Sequence, residues 1–502
     1  MTRVGILFLI CLAALALVPL LPEMLPLVDM PQHVALHSIW MHIADPAFNL
    51  GGRFVVSLAT PYALPHLLAH AAGQLFGPEG GLRLVLAVSL AGFPLAAFAL
   101  LRAFDRPGEI ALAAFPAALS LVYWYGFISY VMALPLVLLG VALARRCALE
   151  GKRRDALLLA GLALVTVATH GFAFLVLALL AGVAALATTR RFSRLAMVAA
   201  ALLPCLAWSF IWALRSRSEV SYEPLPTTWG FASDRLRFGL AAIFGMHSLA
   251  PNVLIVAGAL LLLGAMALWR ARAGGESGPA SGRRALAWVA LAGIAATWLC
   301  PEVFMHTWGL WERIPPVAFV ALMGAVPWPA ASATRTRLAA ALGAVALFAS
   351  GSALRDGFDF SRQASGIREL AQHIPPGSRV MWSACGDEHP WFRSTPAFKH
   401  LGAYVQADRG GDLAYSFALF QHMVVRYRGE PLPGRFDRST YEFAVLRPGP
   451  SCPPLEELRK LGPIAIEGDF VALPASVVTP DLAAALEPQR PWGVRAAERA
   501  ER

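Results

Sequence analysis

The chain has 502 residues, 57% of them hydrophobic and only 15% charged. Soluble domains carry about 25% charged residues, so this composition excludes an ordinary soluble protein. The net charge of +10 does not point to nucleic acid either: residues 1–355 hold 25 Lys/Arg against 14 Asp/Glu (+11), and the remainder 17 against 18 (−1). The excess sits in short loops between apolar runs, where the positive-inside rule accounts for it, and no basic tail or aromatic-basic patch offers a nucleic-acid surface.

Apolar runs recur through residues 1–353, and about 20 such residues as a helix cross a hydrocarbon layer of about 30 Å. The basic clusters Arg102/Arg106, Arg145/Arg146 with Lys152/Arg153/Arg154, Arg190/Arg191/Arg194, Arg270/Arg272 with Arg283/Arg284, and Arg335/Arg337 are placed on the cytoplasmic side with Arg3. Spans are then expected at 4–21, 82–101, 109–124, 127–144, 155–169, 171–188, 195–213, 250–269, 284–300, 315–330 and 337–353, about eleven in all. This reads as a polytopic α-helical membrane protein of the cytoplasmic membrane, N-terminus inside. Residues 4–21 read as a retained signal-anchor, because "LVPLLPEM" lacks a small-x-small cleavage site.

The segment 61–77, "PYALPHLLAHAAGQLFG", is hydrophobic but carries two prolines and two histidines. It is expected to be a re-entrant or interfacial helix within a long first outer loop, 22–81, that belongs with the membrane domain 1–355. "RARAGGESGPASGRR" (270–284) reads as a flexible inner loop, and 215–239 as a longer outer one.

From residue 356 to 502 charges and turn residues interrupt every apolar run. "SGIRELAQHIPPGSRVMWSACG" reads helix, turn, strand; "YEFAVLRPG" a strand; "PPLEELRKLG" a helix; "PIAIEGDFVALPAS" a pair of strands. Alternation of this kind predicts a small α/β domain, which the topology places outside. Its two cysteines, Cys385 and Cys452, either pair in an oxidising compartment or remain free thiols.

The outer ends of the spans gather ionisable groups. The first loop supplies Asp29, His33, His37, Arg53 and His66. "VATHGFAFL" supplies His170, and "CPEVFMHTWGLWERIPP" supplies Glu302, His306, Glu312 and Arg313. Such groups are costly at a membrane boundary unless paired or wet, so their gathering on one face suggests a site. Each also has a plainer reading. Asp29 is equally a helix cap before Pro31. His33 and His37 have the i,i+4 spacing of metal ligands on one helix face, but also that of a polar face. His170 fits a polar residue held between helices, and Glu312–Arg313 a surface pair at a helix start.

"PLVDMPQHVALH", "WYGFISYVMALPL", "THGFAF", "WERIPP" and "IPPGSRVMW" resemble segments of GT-C membrane glycosyltransferases. That resemblance implies many spans, a long first outer loop and often a C-terminal outer domain. It also implies a sugar moved from a polyprenyl-phosphate carrier to a glycan, lipid or protein acceptor at the outer face. Asp29 alone takes over the family's catalytic acidic position, as general base. Arg53 or Arg313 would stabilise the departing phosphate; His33, His66, His170, His306 and Glu312 would bind sugar or phosphate. The stretch has one acidic residue rather than the pair with which metal-dependent members hold an ion, so no cofactor is expected; a divalent metal stays open as an alternative that no paired acidic motif supports. A transporter, or a non-catalytic scaffold of an envelope-glycan system, is the alternative. A transporter would place ionisable groups in mid-span, whereas here they sit at span ends.

Overall fold

The computed structural model describes all residues except 1, 219–226, 231, 246–249, 305–306, 386–396, 421, 433–435, 450–452 and 487–502. It divides into two compact units: residues 1–20 with 85–354, and residues 21–84 with 355–502. By this division the first outer loop lies in the same compact unit as the C-terminal residues.

The first unit is a helical bundle. Six helices among the described residues are long and apolar enough to cross a membrane: Ala63–Ala103, Ile128–Glu150, Gly171–Thr188, Phe192–Arg215, Pro251–Gly274 and Ser332–Ala371. Arg3–Leu17, Arg153–Thr169, Ala280–Leu299 and Pro315–Ala325 fall at four more of the expected spans but are shorter or less apolar. The expected span 109–124 is not one helix. A 3-10 turn, Gly108–Ala113, leads into two short helices, Ala114–Ala118 and Leu121–Trp124, with Ser120 extended between them. Pro116 lacks an amide proton, which weakens a continuous ladder. Nearly every residue of the segment is buried in protein, the setting in which irregular backbone is tolerated at membrane depth.

The second unit is α/β. Its sheet has five strands in the order Asp412–Leu413, Arg379–Ala384, Phe443–Arg447, Phe470–Pro474, Ala465–Glu467. The first three are parallel neighbours and the last two join antiparallel. The expected pair of strands in "PIAIEGDFVALPAS" is this closing hairpin, turned at Gly468 with φ of 56°. Met381, Leu446, Leu458, Val471 and Leu473 form the buried core beneath the sheet.

The first loop is built onto this domain. Helix Met30–Met41 packs on helix Ala403–Arg409, and Ser38 Oγ donates to the Ala407 carbonyl at 2.6 Å. Phe54–Val56 pairs antiparallel with Val425–Tyr427. Leu36, Ile39, Phe54, Phe417, Met423 and Val425 close a second core between loop and tail. The segment 61–77 is helical from Ala63, and the helix breaks at Gly77 with φ 76° and ψ 169°, a conformation open to glycine. The arm before Gly77 folds against the one after it. A Cβ at Gly81 would stand 2.1 Å from the Ala69 carbonyl oxygen and 2.7 Å from the Gly73 nitrogen, so only glycine allows this approach.

Candidate active site

His33 and His37 lie one turn apart on helix Met30–Met41 and so share a face. The arm preceding Gly77 brings His66 to them. His37 Nε2 and His66 Nδ1 are 2.9 Å apart, one donating and the other accepting, and the rings stack with centroids 5.2 Å apart. His33 lies 5.5 Å from His66, ring centre to ring centre. All three are buried, and His33 Nδ1, His37 Nδ1 and His66 Nε2 have no hydrogen-bond partner among the described residues. Burial drives the pKa of His33 well below the ordinary histidine value, with the charges of His66 and His422 adding to it. Burial does the same to His37, followed by His66, His33 and His70. Both rings are therefore neutral at physiological pH.

Asp29 stands at the head of the same helix. It occupies the N-cap position, but its side chain makes no capping hydrogen bond. Its Oδ1 lies 3.8 Å from Nε2 of His400, a residue of the tail. His400 is buried, stacks on Tyr415 at 5.2 Å with 10° between the planes, and meets Phe417 edge-on at 5.5 Å. Phe417 in turn stands edge-on to His33 at 5.6 Å. Gln32 fixes this aromatic segment to the helix at two points: its Nε2 donates to the Tyr415 carbonyl and its Oε1 accepts from the Phe417 amide, each at 3.0 Å. Burial pushes the His400 pKa well down, and Lys399 and His33 add to it. The result is a half-buried carboxylate beside a neutral imidazole, with further neutral imidazoles behind it. Among the described residues no group of three or more His, Cys, Asp or Glu is placed to hold a metal ion.

Arg53 belongs to the same unit but does not join this cluster. Its Nε lies 2.7 Å from Oδ2 of buried Asp412, whose Oδ1 accepts from the Tyr427 hydroxyl at 2.5 Å. Its guanidinium lies 5.3 Å from the centre of the Tyr427 ring. It secures the ladder between Phe54–Val56 and Val425–Tyr427.

His170, Glu312 and Arg313 belong to the first unit and form a cluster of their own. His170 caps helix Gly171–Thr188, with Nδ1 accepting from the Ala173 amide at 3.4 Å, and its Nε2 lies 3.1 Å from Arg313 Nη1. Arg313 also donates from Nε to the Gly309 carbonyl at 3.2 Å and from Nη2 to the Trp308 carbonyl at 2.9 Å. The Phe127 ring centre lies 4.1 Å from its guanidinium carbon. Two of these hydrogen bonds hold the loop and the third ties it to His170. Glu312, adjacent in sequence, is buried, and its Oε2 has no hydrogen-bond partner among the described residues. Burial raises its pKa to about 8; the Glu302 charge adds to the rise, and Arg313 opposes it. Glu312 is therefore largely a neutral acid at pH 7. His306 lies outside the described residues. Cys385 is disulfide-bonded, and Cys452 lies outside the described residues.

Two crystal structures of ArnT from Cupriavidus metallidurans are similar to this chain. The one bound to undecaprenyl phosphate is 15% identical, with 95% of this chain and 100% of that chain covered and a TM-score of 0.49. The apo form is 16% identical, with 95% and 99% covered and a TM-score of 0.46. Neither likeness is strong enough to bear on the chemistry of this chain. No protein-family model matches the sequence, and no curated protein matches it.

Two residues of the first cluster escape a reading of the sequence. His400 sits in "FKHLGAY", in the stretch between an expected strand and the next, with no spacing that ties it to Asp29. Gln32 is a single polar residue between Pro31 and His33. Its complete burial is what gives it away, and burial is visible only in the fold.

Proposed function

We propose that the protein is a membrane glycosyltransferase of the GT-C kind, moving a sugar from a polyprenyl-phosphate carrier to an acceptor at the outer face of the cytoplasmic membrane, with Asp29 as general base. The orientation proposed with it is N-terminus inside and C-terminal domain outside. The observation that carries this reading is the setting of Asp29. The acidic residue of the first-loop motif makes no side-chain cap to its helix, is half-buried, and faces a buried neutral imidazole 3.8 Å away.

The chemistry asks little more of it. Asp29 takes the proton of the acceptor hydroxyl, and the acceptor oxygen forms a bond to the anomeric carbon. The bond from that carbon to the phosphate oxygen breaks, and its electron pair leaves with the polyprenyl phosphate. His33 Nδ1 and His66 Nε2 are buried and have no partner among the described residues, so each keeps hydrogen-bonding capacity that a sugar hydroxyl entering the site could use.

The test is Asp29→Asn. An amide cannot take the proton, and general-base catalysis contributes roughly 10²–10⁴-fold, so transfer should fall by about 3–5 kcal/mol of transition-state stabilisation. The readout is complementation of a deletion strain's envelope-glycan phenotype, with membrane level checked by immunoblot. Full complementation at a normal level would overturn the assignment.

A further inference from the structure

We propose that His400, brought from the tail, is the positioning residue of Asp29: it donates its Nε2 hydrogen to the carboxylate and holds it aimed at the acceptor hydroxyl. The inference rests on the reading of Asp29 as base. Its geometric ground is independent of that reading. His400 Nε2 and Asp29 Oδ1 face each other at 3.8 Å. The imidazole is fixed on two sides, by the parallel Tyr415 ring and the edge-on Phe417 ring. The backbone of both residues is tied to the Asp29 helix by Gln32, through the Tyr415 carbonyl and the Phe417 amide, so donor and carboxylate are referenced to one frame. At 3.8 Å the separation exceeds a formed hydrogen bond, so forming one takes a small closing rotation of the Asp29 carboxylate in the resting protein.

The groups facing His400 are Asp29 and His33 from the first loop and Lys399 beside it in the chain. A lysine neighbour and a buried setting both disfavour imidazolium, so His400 serves as a neutral donor rather than a cation. A neutral N–H beside a carboxylate stabilises its ionised form. The tautomer with hydrogen on Nε2 is the one this role requires.

Two variants separate this role from simple packing. His400→Phe keeps the ring stack on Tyr415 and Phe417 but removes the donor. His400→Gln loses the stack but returns an N–H near the Nε2 position. Packing alone predicts that Phe is tolerated better than Gln; positioning predicts the reverse.

The measurement is a pH-difference infrared titration of the full chain in lipid nanodiscs, the Asp29 carboxyl band being identified by its loss in Asp29→Asn. In His400→Phe the band should titrate about one pH unit higher than in the wild type, and in His400→Gln close to the wild type. An unchanged midpoint in His400→Phe, or an equal shift in both variants, overturns the proposal. Should His400→Phe not fold, the ¹⁵N resonance of His400 Nε2 decides instead. It should move between wild type and Asp29→Asn, and a fixed resonance overturns the pairing. A shifted band together with full complementation by Asp29→Asn would keep the pairing and remove the transferase reading.

Discussion

Lowering the pH from about 7.5 to about 5.5 should destabilise the second unit through the histidines it buries, by linkage between protonation and unfolding. His33, His37, His66 and His400 are each held neutral, with burial as the leading cause. The unfolded chain binds a proton at each near pH 6.5, whereas the folded chain does not. The stability they contribute is therefore complete above that pH and is lost as the pH falls. One pH unit below the unfolded value, each costs about 1.4 kcal/mol, or about 6 kcal/mol for the four.

Glu312, in the first unit, works in the opposite direction. Its folded pKa is raised to about 8 from an ordinary 4.5, so its stability contribution is present at acid pH and lost as the pH rises. Over the same interval acidification returns about 2–3 kcal/mol through it. A bare melting curve would mix the two. The clean comparison is wild type against His37→Gln, which removes one buried titrating ring and leaves Glu312 alone. The variant should lose about 1.4 kcal/mol less on acidification, a difference of about 3–6 °C in the change of Tm for a unit of this size. The assay is intrinsic-fluorescence melting of nanodisc-embedded protein at both pH values and one scan rate. Identical pH responses in the two proteins would refute the claim that His37 is buried neutral.

Asp412→Asn removes the carboxylate that Arg53 and Tyr427 share; because Arg53 keeps access to water, the cost should be about 1–3 kcal/mol rather than that of a fully buried stranded charge, read as a lower Tm with helix content intact. Non-reducing peptide mapping of membrane-extracted protein should find Cys385 linked to Cys452, and two alkylatable thiols at those positions would show the pairing to be wrong.

The apolar runs were legible as helices because a backbone in hydrocarbon has no partner but itself, so length and hydropathy carry most of the information. Residues 109–124 escaped that logic. They are apolar because protein surrounds them, and protein, unlike lipid, can tolerate the break at Ser120. The tail was legible from its punctuation: Pro375-Pro376-Gly377 before the strand Arg379–Ala384, and Gly468 within the closing hairpin. What the sequence hid was pairing at long range. Asp29 meets His400, Arg53 meets Asp412, and Gln32 meets Phe417, each across more than three hundred positions. No local pattern announces such contacts. Glu312 and Arg313 show the reverse failure. Adjacency suggested a surface pair, yet Arg313 binds His170 and two carbonyls while Glu312 keeps an oxygen with no partner among the described residues.

The two sequence readings of Asp29, cap or base, are separated by its neighbour. A capping carboxylate accepts from the amide two or three residues on, and the capping residue usually takes an extended backbone. Helix Met30–Met41 places Pro31 at its second position, so one of those two amides does not exist. Asp29 itself has φ −89° and ψ −9°, a helical rather than extended conformation, and only its backbone carbonyl serves the helix, accepting from His33 at 3.1 Å. The proline that made Asp29 look like a helix start therefore weakens its side chain's claim as a cap and leaves the carboxylate to turn toward His400. Asn in its place should then leave the helix nearly as stable as before, since no side-chain cap is lost. For that reason a loss of function in Asp29→Asn would report on chemistry rather than on folding.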